Sequence, residues 1–329
     1  LGGQVHDDPW GDRVLGMTPA GLDALMADGN LFARPPGIAF EYSNTGYGLI
    51  GRVITNVAGM PYQAFITRTI LAPLGMTRTT FDASAASRSD YAWPYRLDDG
   101  QWSRERIEPD GEVGAMGGLA TTVPDYARYV AFLLGAWPAR DDPENGPVRR
   151  SSVREMGLFH APPFTPDPEK PAPPSAYGYG LNNTAHPLIG RLLHHAGGLP
   201  GYGSHVLMMI EHGVGIMAFG NRTYAPMSSL TGRLAQVIHP TLPAPPSPVA
   251  SRAVVRAVEA IVMAYNAGRI DVAKSVLAVN FLLDTPARFR DRELVELKQK
   301  LGEGRIERID GIHALSGRFT LACERGRLQ

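Results

Sequence analysis

Apolar residues recur at one-and-three spacing along Leu49, Ile50, Val53, Ile54 and Val57, which predicts an α-helix with one apolar face. That helix begins directly after Tyr42-Ser43-Asn44 and stops at Gly59, ahead of Pro61, since glycine takes the left-handed conformation that closes a helix. Thr18-Pro19 marks an earlier helix start, a hydroxyl cap followed by proline at the first helical position, with Leu22, Leu25 and Met26 as its stripe and an end near Gly29. A third stripe, Phe65, Ile66 and Ile70, places a helix over Tyr62 to Leu71. A fourth starts near Pro124 and buries Tyr126, Tyr129, Val130 and Leu133.

From Trp137 to Ser175 the periodicity gives way to proline and charge, which predicts a long surface excursion with one short helix near Ser152 to Leu158. Such an excursion is placed to form one wall of a cleft. After Tyr177 the pattern changes to short apolar runs, Leu192 to His195, His205 to Ile210 and Gly215 to Phe219. These read as antiparallel strands, the last two joined by a hairpin at Gly213, and a helix from Met227 to Ile238 closes the segment.

Five prolines between Pro240 and Pro248 mark a linker, dividing the chain into residues 1–239, a Pro-rich connection at 240–248, and a small module at 249–329. In the module, Val254, Val258, Ile261, Val262 and Tyr265 make a helix stopped near Gly268, and Leu294, Leu297 and Leu301 make another. Phe319, Leu321 and Cys323 then alternate with Thr320, Ala322 and Glu324 as a strand, and Glu324 to Arg327 reads as a turn into a partner strand. The chain ends at Gln329, where that partner is expected to begin, so the module reads as incomplete. No internal repeat is present. The pattern is that of an α+β protein, an antiparallel sheet flanked by helices with a small helical-then-strand module after it.

Composition narrows the function. At 329 residues with 44% hydrophobic residues, the chain can bury a large core. Its 32 Lys and Arg offset 32 Asp and Glu, which argues against nucleic acid and towards a small-molecule partner. No run of 18 apolar residues suggests a membrane span. One cysteine, Cys323, excludes an internal disulfide and leaves the compartment open. The first residues have neither a basic stretch nor an apolar core of the signal-peptide kind, so the chain is expected to start mid-protein or after processing.

Several catalytic signatures are absent from the sequence: Gly-x-Ser-x-Gly, His-Glu-x-x-His, paired cysteines and the phosphate-cradling Gly-x-x-x-x-Gly-Lys. Neither a metal nor a cofactor is implied. Ser204 beside His205 is a tempting dyad, but neighbouring strand residues point to opposite faces. What stands out is Phe40-Glu41-Tyr42-Ser43-Asn44-Thr45-Gly46-Tyr47-Gly48-Leu49-Ile50-Gly51, then Gly117-Gly118-Leu119-Ala120-Thr121-Thr122, then His195-Ala196-Gly197-Gly198-Leu199-Pro200-Gly201-Tyr202. In order and spacing these resemble the serine β-lactamase-like family, which includes class C β-lactamases, DD-peptidases, D-aminopeptidases and β-lactamase-fold esterases. The resemblance covers about residues 1 to 239 and leaves out the C-terminal module.

The resemblance implies an acyl-enzyme hydrolase of esters, amides or peptides. Tyr42 matches the Tyr-x-Asn tyrosine, general base on a serine; Asn44 matches the asparagine that holds substrate and an active-site lysine. His195-Ala196-Gly197 matches the Lys-Thr-Gly or His-x-Gly strand, and the N–H of Gly198 falls at an oxyanion donor, where one such donor contributes on the order of 3 to 4 kcal/mol. Gly197, Gly198, Gly201 and Gly203 let the backbone approach a ligand closely, and Trp10, Tyr47 and Tyr202 are candidates to line an apolar acyl pocket. A histidine at 195 is mostly neutral at pH 7, unlike a lysine, which favours ester or amide hydrolysis over efficient β-lactam turnover.

The chain departs from the family in one respect. Its lysines, at 170, 274, 298 and 300, are preceded three residues earlier by Asp167, Asp271, Val295 and Leu297, so no Ser-x-x-Lys exists to supply the nucleophile. A phenol with a pKa of about 10 is a poor base without a neighbouring cation, and loss of the nucleophile in comparable enzymes leaves only about 10³ to 10⁴ over the uncatalysed rate. The expectation is a chain that is nearly inactive alone, with a gap where the missing helix packs and with serine and lysine upstream of Leu1 in the parent protein. The family resemblance would suit an exported or periplasmic protein. The alternative is a non-catalytic module that binds cell-wall peptide or a protein partner through the same cleft.

Overall fold

The computed structural model describes residues 2–4, 15–27, 32–83, 88–140, 142–161, 173–245, 249–313 and 315–329. Helix α1 (Pro19–Ala27) starts where Thr18 Oγ1 accepts the Gly21 N–H at 3.1 Å. Helix α2 (Asn44–Ala58) is capped by Ser43 and ended by Gly59 at φ 63°. The stripe from Tyr62 splits into α3 (Tyr62–Ile66) and a π-helical turn (Thr67–Leu71).

The apolar stripe of α2 does not face the core. Ile50, Val53 and Val57 are 50%, 58% and 85% exposed, while Thr45, Gly48 and Gly51 are buried. A Cβ on Gly48 would lie 2.9 Å from Val113 Cγ1, and one on Gly51 2.9 Å from Ala115 Cβ. The helix therefore packs by its smallest residues, because only a side without side chains admits so close an approach. Val57→Lys is expected to change unfolding free energy by no more than about 0.5 kcal/mol in a denaturant titration. A loss of roughly 2 kcal/mol or more would mean that this face is buried after all.

Strands β1 (Tyr95–Asp98) and β2 (Gln101–Arg104) form a hairpin outside the sequence expectations. Its turn is Asp99-Gly100, with φ of 49° and 77°, as a two-residue turn between twisted strands requires. Helices α4 (Val123–Leu134) and α5 (Arg150–Met156) follow. The main sheet then runs in the order β3 (Ser175–Tyr177), β4 (Asn182–His186), β5 (Gly190–Leu199), β6 (Tyr202–Met209), β7 (Val214–Gly220), antiparallel throughout. Strands β3 and β4 lack an apolar run; the buried Asn183 in β4 is held by its amide, which donates to the Gly157 carbonyl.

Both faces of this sheet are covered. Val206, Met208 and Ile210 pack with Leu193 against Val130, Leu133 and Val153, whereas Leu207 and Met209 pack with Leu192 and Ile216 against Ala235. Ala235 lies on α6 (Met227–Ile238). An unbroken apolar run in β6 is what a strand buried on two sides needs. These elements belong to one compact unit, Leu1–Trp137 with Glu144–Ala244.

The second unit comprises Pro138–Pro143 and Pro245–Gln329. It holds α7 (Arg252–Ala267), α8 (Phe281–Asp284), α9 (Ala287–Leu301) and a sheet of β8 (Gly304–His313), β9 (Ser316–Cys323) and β10 (Gly326–Leu328) in the order β10-β9-β8. Val254, Val258, Val262 and Tyr265 of α7 pack on Leu321. The partner strand expected beyond Gln329 already lies within the chain, since Gly326 pairs with Cys323 and Leu328 with Leu321. Strand β8 escaped the periodicity because its register slips between Ile306 and Arg308, and a bulge interrupts inside-outside alternation. Among the described residues no helix is long and apolar enough to cross a membrane.

Candidate active site beside strand β5

Ser43 is extended (φ −141°, ψ 114°) and its Oγ accepts the Gly46 N–H at 3.2 Å. That bond satisfies one of the donors a helix start leaves open and commits the Ser43 hydroxyl to the cap. Tyr42 and Asn44 flank this cap, Asn44 as the first residue of α2.

Across from them lies His195 of β5. The Tyr42 and His195 rings are stacked with centroids 6.3 Å apart and planes 27° apart. Tyr177, the last residue of β3, stands edge-on to both, at 6.3 Å from Tyr42 and 5.9 Å from His195. Its hydroxyl oxygen is 2.9 Å from His195 Nε2. Tyr47, one turn into α2, interacts with the same Tyr177 side chain. Phe40 completes the wall, 5.0 Å from the Tyr177 ring.

Burial sets the protonation of this cluster. It pushes the Tyr47 and Tyr177 phenols up and the His195 imidazole down, opposed for His195 by a hydrogen bond to the Ala196 backbone, because a poorly solvated site disfavours charge. His194 points to the other side of the strand: its Nε2 lies 3.1 Å from Thr184 Oγ1, and burial followed by repulsion from His195 lowers its pKa.

Downstream on β5, Gly197 pairs with Ser204 and Gly198 with Gly203. Both glycines are exposed, yet a Cβ on Gly197 would meet Ser204 Oγ at 2.3 Å and one on Gly198 would meet Tyr224 Cδ1 at 2.5 Å. Tyr224 has a left-handed backbone, φ 49°. The Ser204-His205 pair is not a dyad: His205 is buried and bonded to Thr231 of α6 through Nδ1, while Ser204 lies against Gly197.

The fold thus gathers Tyr42, Tyr47 and His195 around Tyr177. Asn44 lies at the adjoining helix start, and Gly197 and Gly198 continue the strand from His195. Tyr202 is engaged elsewhere, its hydroxyl donating to the Ala92 carbonyl at 2.9 Å. Trp10 lies outside the described residues. Tyr177 itself was not singled out by sequence, although its neighbours carry a signal: a Cβ on Gly178 would sit 2.0 Å from the Met156 carbonyl oxygen, and Gly180, at φ 75°, 3.0 Å from the Tyr47 hydroxyl. Two glycines following a tyrosine mark backbone that must come close to something.

The family model described as Beta-lactamase matches residues 13–238. The chain belongs to this family. Beta-lactamase family members are serine hydrolases, and the fold is the beta-lactamase/transpeptidase-like one. Protein flp of Staphylococcus aureus (strain NCTC 8325 / PS 47) is 27% identical over 198 residues, 60% of this chain and 36% of that protein. The octameric penicillin-binding protein homologue from Pyrococcus abyssi superimposes with a TM-score of 0.56 at 28% identity, covering 68% of this chain and 48% of that one. D-amino acid amidase from Ochrobactrum anthropi SV3, complexed with L-phenylalanine amide, shares the fold at a TM-score of 0.57 and 20% identity, over 73% of this chain and 70% of the amidase. The chain spans about a third of the length of the curated relative flp.

Proposed function

We propose that residues 1–239 supply the Tyr-x-Asn and His-x-Gly sides of an acyl-enzyme cleft that hydrolyses an ester or amide. Tyr42 is the base, Asn44 and His195 polarise the site, and the N–H of Gly198 is an oxyanion donor. Tyr47 and Gly197 line the substrate side. The observation that carries this reading is the stacking of Tyr42 on His195 at 6.3 Å, which unites motifs far apart in sequence. An imidazole whose pKa is lowered by burial offers no cation to a carboxylate at pH 7, which favours an ester or amide over a substrate bound by its carboxylate. An amide substrate is also what the name of the O. anthropi enzyme states for that protein.

The serine and lysine of the reaction have to come from residues other than 1–329, and without them this chain is close to inactive. Treatment with a fluorophosphonate probe, followed by tandem mass spectrometry, is expected to leave every serine of residues 1–329 without a stoichiometric adduct. A stoichiometric adduct on Ser43 or Ser204 would overturn the assignment, because it would show a serine activated without a partner lysine. An in-frame Ser-x-x-Lys in the coding sequence ahead of Leu1 would then separate the hydrolase from a binding module that keeps only the cleft.

A further inference from the structure

Tyr177 is the centre of the aromatic cluster, and neither Tyr-x-Asn nor His-x-Gly contains it. Three elements converge on its ring: α2 through Tyr47, the stretch leading into α2 through Phe40 and Tyr42, and β5 through His195. The titratable groups facing His195 are Tyr42, Tyr177 and its chain neighbour His194, with His205 interacting from β6. Among the described residues, no carboxylate, lysine or arginine contributes to the setting of His195. The tautomer of its ring is therefore decided by hydrogen bonds.

Those bonds have a direction. Between a neutral phenol and a neutral imidazole the O–H is the stronger acid and the ring nitrogen the stronger base, so the hydroxyl donates and the ring accepts. Nε2 is occupied by the Tyr177 hydroxyl at 2.9 Å, which leaves Nδ1 to carry the hydrogen. The Nε2 lone pair then accepts from the Tyr177 O–H. Burial keeps that phenol protonated well beyond neutral pH.

We propose that Tyr177 is a positioning residue: its hydroxyl donates to Nε2 of His195 and holds the imidazole as the Nδ1–H tautomer, at a fixed angle beside Tyr42. A phenol in this place leaves His195 without a free Nε2–H to offer a substrate oxygen, so the polar edge of β5 is left to the backbone N–H groups that follow. The role of Tyr177 in catalysis rests on the hydrolase reading above, whereas the tautomer is a property of the folded chain and is measured without activity.

The test is long-range ¹H–¹⁵N correlation of the imidazoles in uniformly ¹⁵N-labelled full chain, with His195→Gln identifying the His195 signals. At pH 7 we expect a pyrrole-type Nδ1, a pyridine-type Nε2 and a titration midpoint below 6.5. Tyr177→Phe, with the His194 and His205 signals unmoved, is expected to shift the His195 midpoint upward and to average its two nitrogen shifts. An Nε2–H pattern in the unmodified chain, or a tautomer and midpoint unchanged in Tyr177→Phe, would overturn the proposal. Should the variant fail to fold, the tautomer of the unmodified chain decides alone. An adduct on Ser43 or Ser204 would overturn the site assignment of the reading above and leave these signals as they are, so the two failures are distinguishable.

Discussion

Acidification from pH 6.5 to pH 4 is expected to cost the folded chain up to about 3 kcal/mol through His205 alone. The side chain is 5% exposed on β6, and its pKa is pushed down from 6.5 to about 4, first by burial and then by repulsion from His194 and His195. A depressed pKa means that the unfolded chain takes up this proton before the folded one does. Stability from His205 is therefore complete above pH 6.5, is lost as pH falls towards 4, and changes little below that. His194 and His195 are shifted in the same direction and steepen the loss. Urea unfolding at a series of pH values checks it, with His205→Gln as the comparison: that variant starts less stable, having lost the Thr231 bond, and loses less between pH 6.5 and 4. Parallel curves for the two proteins would show that His205 does not carry the linkage.

Leu193→Ala is expected to destabilise the chain by about 2 to 5 kcal/mol. Leu193 has no exposed surface and lies where β5 meets α4 and α5, among Val130, Leu133, Val153 and Met208. Gly157 is glycine because a Cβ there would stand 2.7 Å from Leu193 Cδ1, so the leucine already fills its site and its removal leaves a cavity. Leu193 is also two residues before His195, on the same side of the strand, so the cavity opens beneath the candidate site. Equilibrium denaturation measures the loss, and the ¹⁵N signals of His195 are expected to shift in the same variant. A loss under about 1 kcal/mol would mean that the surrounding helices close over the gap.

Caps and glycines made the helix boundaries legible: Thr18, Ser43 and Gly59 act through hydrogen bonds and dihedral preferences that involve only near neighbours. The β5-β6-β7 meander was legible for a related reason, since its apolar runs are buried on both faces and Gly213 adopts a left-handed turn. Hairpin β1-β2 carried an equally local signal in Asp99-Gly100, but its strands expose Leu97 and Trp102 and show no inward face. Strand β8 was hidden by its bulge.

The sequence by itself determined the family motifs, the absence of Ser-x-x-Lys, and the placing of Tyr42-Ser43-Asn44 at a helix start, because each depends on residue identity and local spacing. Only the tertiary structure decided which face of α2 is buried, since a one-and-three apolar stripe says nothing about whether a partner is there to cover it. It alone decided that Tyr177 stands between Tyr42, Tyr47 and His195. Contacts among residues so far apart in the chain are settled by how the strands and α2 pack, and no local pattern encodes that packing.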